Sequence, residues 1–189
     1  NAVQFGTDNL TTTYESSWRD YQTNDYYQIT PSIGNDVALA SIESPDSNIG
    51  TNNQQNIDIK ILNNGQNTLT TSDIYWSIND SLPQLYQWTG SLANNAYSAP
   101  ITIGNYNFKD GLTDLKIWVS QPNGVLDSLA MNDTISRPIC RPLSGTYTIG
   151  NSSSNDFQSF RSLARTLHEC GVSGPVEFLI DAGVYTENF

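Results

Sequence analysis

The sequence predicts an all-β protein: an antiparallel β-sandwich followed by a short unit of strand, helix and strand. Between residues 36 and 139, apolar and polar side chains alternate in short runs that end in turn-forming residues. A period of two places the apolar side chains on one face of a strand, so each sheet must bury that face against a second sheet. The one helical period begins near Asp156 and ends near Gly171.

The composition favours a folded protein and excludes two classes of partner. Only 14% of the 189 residues are charged, but 37% are hydrophobic, which is enough for a packed core. Nineteen acidic residues against eight basic ones give a net charge of −11, so we expect no binding to nucleic acid or to anionic lipid. No apolar run approaches the roughly 18 residues of a membrane-spanning helix, and we expect no membrane insertion.

Residues 1–35 form the first of three predicted regions. Tyr14, Trp18 and Tyr21 are scattered there among polar residues, without a sustained helical or alternating period. We interpret this region as a lead-in or as the tail of a preceding domain. Packing onto the next domain is the favoured role of its aromatic side chains, and stacking on carbohydrate is the alternative.

Residues 36–139 form the predicted sandwich. Turn-forming residues such as Asn63-Asn64-Gly65 separate the runs. Weaker runs at 84–89, 97–103 and 133–139 bring the total to about seven or eight strands, a spacing typical of an antiparallel sandwich. The clearest alternation involves Val37 and Leu39; Ile57, Ile59 and Ile61; Ile74, Trp76 and Ile78; and Leu115, Ile117 and Val119.

Residues 140–189 follow a different pattern. A strand is expected over 143–150, and Asp156 is the expected N-cap of the following helix. Further strands are expected over 175–180 and 184–187, and the pattern runs on to the last residue, so we expect a piece of a longer protein. The apolar residues of the helix recur at steps of three and four: Phe157, Phe160, Leu163, Ala164 and Leu167.

Cys140 and Cys170 are the two cysteines of the chain. A disulfide between them would close a loop of about thirty residues and stabilise the folded chain by about 3–4 kcal/mol. Two unrelated buried thiols are the alternative. Together with the acidic, lysine-poor composition, a disulfide would suit an oxidising, extracellular setting.

The central region resembles the CARDB type of immunoglobulin-like module, a cell-adhesion-related domain of bacterial surface and secreted proteins. The resemblance rests on Asp36-Val37-Ala38-Leu39, on 57–64 and 115–119, and on Ala130-Met131-Asn132-Asp133-Thr134. These segments match an opening strand that begins with Asp, a central strand with N-x-G, and a closing N-D-T strand. The resemblance implies an Ig-like sandwich with an architectural role, as a spacer or adhesive repeat, and without catalytic residues.

The end of the chain resembles the N-terminal part of a right-handed parallel β-helix of the pectin-lyase type. The resemblance rests on 145–150, on the predicted helix, and on 171–176 through Gly183-Val184-Tyr185-Thr186-Glu187. It implies that residues 140–189 are the capping helix and first strands of an incomplete β-helix. Such a cap is needed because the end of a solenoid exposes unpaired strand edges and apolar side chains.

The sequence offers little for catalysis, and we expect no enzymatic activity. His168 is the single histidine, and a partly exposed histidine near a helix C-terminus is the simplest interpretation of its position. The nucleophile elbow, the phosphate loop, H-E-x-x-H and C-x-x-C are absent from the sequence. A pair of carboxylates that acts on a glycosidic bond remains the enzymatic alternative.

We predict no cofactor and no dedicated metal site, with weakly bound calcium as the alternative. The candidate ligands are Asp46 and Asn48, in a loop at 46–52 that alternates oxygen donors. This loop lacks the glycine register and the terminal acid of an EF-hand. A turn held by Asp and Asn side chains explains it equally well.

Tyr86, Trp88 and Trp118 are the candidate carbohydrate contacts. Trp118 alternates opposite to Ile117 and Val119, which directs it away from the core. An exposed tryptophan beside Tyr86 or Trp88 would form a stacking platform for a sugar. Packing against a neighbouring module is the favoured interpretation.

Three triplets combine an Asp, a Ser or Thr, and an aliphatic residue: 80–82, 127–129 and 133–135. They resemble the O-glycosylation sequon that some bacteria use on surface proteins. Chance matches are the alternative in a chain rich in Ser and Thr.

Taken together, these features predict a non-catalytic structural or adhesive module of a large secreted or cell-surface bacterial protein, serving adhesion or filament architecture. Its expected partners are neighbouring domains of the same polypeptide, with self-assembly or surface glycans as further candidates. Two alternatives stay open. One is an accessory region of an extracellular polysaccharide-degrading β-helix enzyme, and the other is a carbohydrate-binding module.

Overall fold

The computed structural model describes residues 33–187, so nearly all of the predicted region 1–35 lies outside the described residues. Two short 3-10 turns, Pro122–Gly124 and Ala130–Asn132, lie between the sixth and seventh strands. Within the described range, no helix is long and apolar enough to cross a membrane. The elements in order are β1 (Val37–Ser44), β2 (Gln54–Asn63), β3 (Leu69–Ile78), β4 (Gln84–Leu92), β5 (Ile101–Asn107), β6 (Gly111–Ser120), β7 (Thr134–Arg141), β8 (Leu143–Ile149), α1 (Phe160–Cys170) and β9 (Val172–Ile180).

Strands β1 to β7 form an antiparallel β-sandwich, as the sequence predicts. One sheet has the order β1-β2-β5 and the other the order β4-β3-β6-β7. Every pairing within the two sheets is antiparallel. The period-two runs direct their apolar side chains between the sheets, because only that face can be shielded from water. The fully buried members of these runs include Val37, Ile57, Ile59, Ile61, Ile74, Leu115 and Ile117.

Strands β8 and β9 pair in parallel and form a separate two-stranded sheet. Helix α1 connects them, because two neighbouring strands can run in the same direction only if the chain crosses back over the sheet between them. Leu143, Ile149, Phe157 and Leu163 form a second, smaller core between this sheet and α1. We call residues 143–187 the second unit.

The helix begins later than predicted. Its N-cap is Ser159 rather than Asp156, and the Ser159 Oγ accepts a hydrogen bond from the Ser162 N–H at 3.0 Å. The Asp156 carboxylate instead accepts hydrogen bonds from the N–H and the hydroxyl of Thr148, at 2.8 and 2.9 Å. Asp156 therefore ties the loop before α1 to strand β8, which leaves the capping role to the next suitable side chain.

The expected end of the helix is correct, but the strand expected at 184–187 is not formed. Gly171, with a φ of 68°, caps the C-terminus of α1. Residues 184–187 belong to no strand among the described residues. Their last member, Glu187, accepts hydrogen bonds from the N–H groups of Phe160 and Arg161, at 2.9 and 2.8 Å. A carboxylate is stabilised there because the first amides of a helix have no partner within it.

A junction of covalent and polar contacts joins the sandwich to the second unit. Cys140 of β7 and Cys170 of α1 form a disulfide, the pairing that the sequence predicts. Asp110, between β5 and β6, forms an ion pair with Arg141 and accepts a hydrogen bond from the Tyr147 hydroxyl at 2.6 Å. We call these five residues the junction.

Candidate functional site

Three aspartates from distant parts of the sequence meet at one end of the sandwich. Asp36 directly precedes β1, Asp127 lies between the two 3-10 turns, and Asp133 directly precedes β7. One carboxylate oxygen from each lies within 4.8 Å of those from the other two. We call these residues the aspartate cluster. Because β1 and β7 belong to different sheets, the cluster spans the gap between the sheets.

Burial and backbone contacts hold these side chains in place. Asp36 is 0% and Asp133 7% exposed, and Asp127 is half-buried. The Asp127 carboxylate accepts hydrogen bonds from the N–H groups of Val37 and Leu129, at 2.9 and 2.8 Å. One side chain thus attaches the loop between β6 and β7 to the first residue of β1.

Asparagine and glycine position Asp36. The side chains of Asn64 and Asn132 donate hydrogen bonds from Nδ2 to its two carboxylate oxygens, at 3.1 and 3.2 Å. The Asp36 carbonyl accepts from the backbone N–H groups of Asn64 and Gly65, at 2.9 and 3.0 Å. A Cβ on Gly65 would lie 2.7 Å from the Asp36 nitrogen, so this turn needs glycine. The sequence Asn63-Asn64-Gly65 therefore fixes the first acid of the cluster.

Two buried oxygen atoms at the cluster have no hydrogen-bond partner: Oδ1 of Asp133 and Oδ1 of Asn132. Leaving a buried acceptor unsatisfied costs about 1–3 kcal/mol, and more when the group is charged. The ion pairs of residues 33–187 all lie elsewhere, so none of them brings a cation to the cluster. The site therefore combines three acidic side chains with two unsatisfied acceptors.

The pKa values follow from this arrangement. Burial raises the pKa of Asp133 to about 7, and the charges of Asp127 and Asp36 add to the effect. Burial likewise raises the pKa of Asp127, although the N–H groups of Val37 and Leu129 oppose the shift. Like charges held close together resist ionisation. Chemically, such a group of oxygen donors is suited to a hard divalent cation, which prefers carboxylate and amide oxygens.

The loop 46–52, which the sequence indicates as an alternative calcium site, does not belong to the aspartate cluster. Asp46 and Asn48 are both exposed in the connection between β1 and β2. The Asn48 Oδ1 accepts a hydrogen bond from the Gly50 N–H at 3.0 Å, which is the side-chain-supported turn that the sequence left as the alternative. Calcium at Asp46 and Asn48 stays a prediction.

The structure separates the three aromatic residues that were candidates for carbohydrate contact. Trp88 is 8% exposed in the sandwich core, and Tyr86 packs against that core. Trp118 lies on the opposite face of their sheet, half-buried, where it stacks on Tyr75 with ring centroids 5.5 Å apart. The Lys116 Nζ lies 5.7 Å from the Trp118 ring. A carbohydrate contact at Trp118 stays a prediction, and the three residues do not form one platform.

Sequence reasoning missed the aspartate cluster. It treated Asp36 as the start of a strand, and Asp127 and Asp133 as parts of possible glycosylation triplets. The available signal was positional: Asp36 and Asp133 each directly precede a strand at the two ends of the sandwich sequence. His168, by contrast, is exposed in the last turn of α1, as expected.

Solved structures that resemble this chain include two of a CARDB domain from Pyrococcus furiosus. A crystal structure of that domain in complex with di-metal ions has 20% sequence identity and a TM-score of 0.48, and the match covers 61% of this chain and 100% of that one. A solution NMR structure of the same domain has 19% identity and a TM-score of 0.45, with 59% and 98% covered. A β-glucosidase from Listeria innocua in complex with glucose has 9% identity and a TM-score of 0.31, with 56% and 16% covered.

No protein-family model matches the sequence, and a search of curated proteins finds no match. Identities and TM-scores this low do not indicate what the chain binds or does. The strand order and the antiparallel pairing define the fold as an all-β sandwich.

Proposed function

We propose that this chain is a non-catalytic structural module of a larger secreted or cell-surface bacterial protein, built from a CARDB-like sandwich and the helix-capped start of a parallel β-helix. The junction is the observation that carries this proposal. It fixes the two units through the Cys140–Cys170 disulfide and through the hydrogen bond from Tyr147 to Asp110, a carboxylate that also pairs with Arg141 of the sandwich. A spacer that transmits force between neighbouring domains requires such a rigid connection.

Close packing of α1 on the sandwich supports the same proposal. Thr166 of α1 is 5% exposed. A Cβ on Gly111 of β6 would lie 3.3 Å from the Thr166 Cγ2 and 3.6 Å from the Leu143 Cδ2. The helix therefore rests directly on backbone at the start of β6, and the two units share an interface in addition to the disulfide.

The parallel pairing of β8 and β9 supports the β-helix part of the proposal. A solenoid grows by adding strands in parallel, and its open end exposes apolar side chains until the next coil covers them. Val172, Leu179 and Ile180 of β9 are 57%, 51% and 55% exposed. Further strands from a longer polypeptide would cover such side chains.

A location outside the cell or on its surface fits the disulfide. Disulfides persist in oxidising compartments and are rare where thiols are kept reduced. Cys140 and Cys170 are both buried, so the bridge belongs to the folded structure rather than to its surface.

Single-molecule stretching of the 189-residue chain from its two ends tests the mechanical role. With the disulfide intact, the segment between Cys140 and Cys170, a sequence separation of 30, cannot extend. Reduction should lengthen the fully stretched chain by about 100 Å, at about 3.5 Å per residue. We expect distinct unfolding peaks for the sandwich and the second unit. A chain that extends without a force peak, or that cleaves a polysaccharide unaided, would contradict the proposal.

A carbohydrate-binding role is the second candidate, and the stacked pair Tyr75 and Trp118 is the observation that favours it. Their rings are nearly parallel, with an angle of 11° between planes, and both are half-buried on the outer face of the β4-β3-β6-β7 sheet. Fluorescence titration with soluble polysaccharides would detect a ligand at Trp118. A response that Trp118→Ala abolishes would establish this role, and no response would remove it.

A further inference from the structure

We propose that the aspartate cluster is a calcium site that joins the two sheets of the sandwich at the end where β1 begins. The proposal goes beyond the structural function above, which requires no metal. It rests on the distances between the acids, on the two unsatisfied buried acceptors, and on the way the loop between β6 and β7 is attached.

The distances fit the coordination sphere of calcium. Calcium binds oxygen at about 2.3–2.6 Å, so two ligands on opposite sides of one ion lie about 5 Å apart at most. The three carboxylate oxygens lie within 4.8 Å of one another, inside that limit. For magnesium, with bonds of about 2.0–2.1 Å, the limit is about 4.2 Å. Calcium is therefore the ion whose coordination sphere accommodates every separation up to this limit without movement of the three side chains.

The unpartnered acceptors are the second observation that points to a ligand. Asp133 is 7% exposed, belongs to the cluster, and leaves its Oδ1 without a partner. The Asn132 amide is held at the cluster by its hydrogen bond to Asp36, and its own Oδ1 is buried and unpartnered. A cation bound among the three carboxylates would satisfy the free oxygen of Asp133. One oxygen from each acid gives three ligands, and the Asn132 Oδ1, water and backbone carbonyls are the candidates for the rest of the six to eight that calcium takes.

The ligands are held in place before any ion binds. Asp127 is fixed by the N–H groups of Val37 and Leu129, and Asp36 by the amide of Asn64. Each carboxylate oxygen has more than one lone pair, so these hydrogen bonds leave room for a metal bond. Binding would therefore require little ordering of side chains, which favours affinity.

The loop that carries Asp127 and Asp133 depends on polar contacts for its attachment. Leu126 and Met131 of this loop are 90% and 92% exposed, and the 3-10 turn Ala130–Asn132 has no buried residue. Apolar burial therefore does little to hold the loop against β1. A cation shared by Asp36, Asp127 and Asp133 would bind the loop to β1 and offset the repulsion between the three acids.

Calorimetric titration and thermal melting of the full 189-residue chain, first stripped with a chelator, test the proposal. Calcium chloride should bind with a dissociation constant on the order of 10⁻⁵ to 10⁻³ M, the weaker end being typical of extracellular modules. At a calcium concentration about a hundred times that constant, the melting temperature of the sandwich should rise by about 10 °C. Magnesium chloride at the same concentration should raise it less, and sodium chloride of equal ionic strength should not reproduce the effect.

Two variants test whether calcium binds at the aspartate cluster or at the loop 46–52. Asp133→Asn removes one buried charge at nearly constant shape, so it should raise the melting temperature of the calcium-free protein and abolish the calcium response. Asp46→Asn is the matched control, because it removes one charge from the loop that the sequence offered for calcium. It should retain the full response.

A third variant, Asn132→Asp, adds a negative charge at the cluster, whereas Asp133→Asn removes one. A fourth carboxylate should lower the melting temperature of the calcium-free protein and tighten calcium binding about tenfold. This variant keeps the proposal testable if Asp133→Asn does not fold.

Two outcomes would overturn the proposal. The first is a wild-type chain whose melting temperature and heat of titration do not respond to 10 mM calcium beyond the sodium control. The second is a calcium response that Asp46→Asn abolishes and Asp133→Asn retains, which would assign the ion to the other loop. Neither result would affect the mechanical test of the proposed function, because stretching of the chelated protein measures the disulfide and the two folded units without a bound ion.

Discussion

Removal of the disulfide should destabilise the second unit and leave the sandwich nearly unchanged. The perturbation is the double variant Cys140→Ala with Cys170→Ala, compared with the oxidised wild type. Of the loop that this bridge closes, nearly all lies in the second unit, since β8 and α1 fall between the two cysteines. The core of that unit contains four buried residues: Leu143, Ile149, Phe157 and Leu163.

The magnitude follows from the length of the closed loop. For a sequence separation of 30, the chain-entropy relation gives about 12 cal/mol/K, or about 3.6 kcal/mol at 25 °C. Cys140 and Cys170 are 8% and 5% exposed, so the loss of sulfur contacts adds to this figure. A unit with so small a core has little stability to lose. We therefore expect the second unit of the variant to be largely unfolded at 37 °C.

Two spectroscopic probes distinguish the units during urea unfolding. Trp76, Trp88 and Trp118 all lie in the sandwich, and the sequence of the second unit contains no tryptophan. A Trp18→Phe background removes the tryptophan outside the described residues, so fluorescence then reports on the sandwich. Circular dichroism at 222 nm adds the signal of α1, the one α-helix among the described residues, to that of the strands. The midpoint of the dichroism transition of α1 should move to a lower urea concentration, which corresponds to a loss of about 3–4 kcal/mol in the free energy of unfolding of the second unit.

Two results would refute this assignment. If the dichroism transition moves by less than about 1 kcal/mol, the bridge does not constrain the unfolded chain as the entropy relation requires. If fluorescence and dichroism shift together by the full amount, the sandwich and the second unit unfold as one body and the loss does not belong to the second unit alone. Wild type treated with a reducing agent should reproduce the variant.

Two further predictions concern single side chains. Gly65→Ala places a Cβ 2.7 Å from the Asp36 nitrogen and from the Gly34 oxygen. Both are backbone atoms, which cannot move as the end of a flexible side chain can, so denaturant unfolding should show a free energy of unfolding lower by about 1–3 kcal/mol. Gly174→Ala, where the nearest atom is 3.5 Å away, should cost less than about 1 kcal/mol, and equal losses in the two variants would contradict a steric cause. Hydrogen bonds from Thr148 lower the pKa of Asp156, so its stabilising effect should be complete above about pH 4 and lost as the pH falls through the lowered pKa. In thermal melts between about pH 2 and 5, the melting temperature of Asp156→Asn should fall less with decreasing pH than that of the wild type. An equal fall in both proteins would exclude Asp156 as its source.

The sandwich could be predicted because its signal is local. Ile57, Ile59 and Ile61 alternate with polar residues, and a strand exposes alternate side chains on opposite faces whatever its neighbours are. Their burial follows from the hydrophobic effect alone. The helix end at Gly171 is local in the same sense, since a positive φ favours glycine there.

The start of the helix was misplaced because two side chains competed for one role. Asp156 and Ser159 are both good N-caps by residue type. The choice between them depends on Thr148, which lies in a strand on the other side of the loop and binds Asp156. This contact depends on how the loop folds against β8, and the spacing of residues 156 to 159 does not encode it.

The amino-acid sequence by itself determined the strand periodicity, the acidic surface and the presence of two cysteines. The periodicity depends only on neighbouring residues, and the other two depend only on the composition. Only the tertiary structure decided which acids meet. Asp36 and Asp133 are 97 positions apart in the sequence, and their approach depends on two sheets closing over a shared core, which no local pattern encodes.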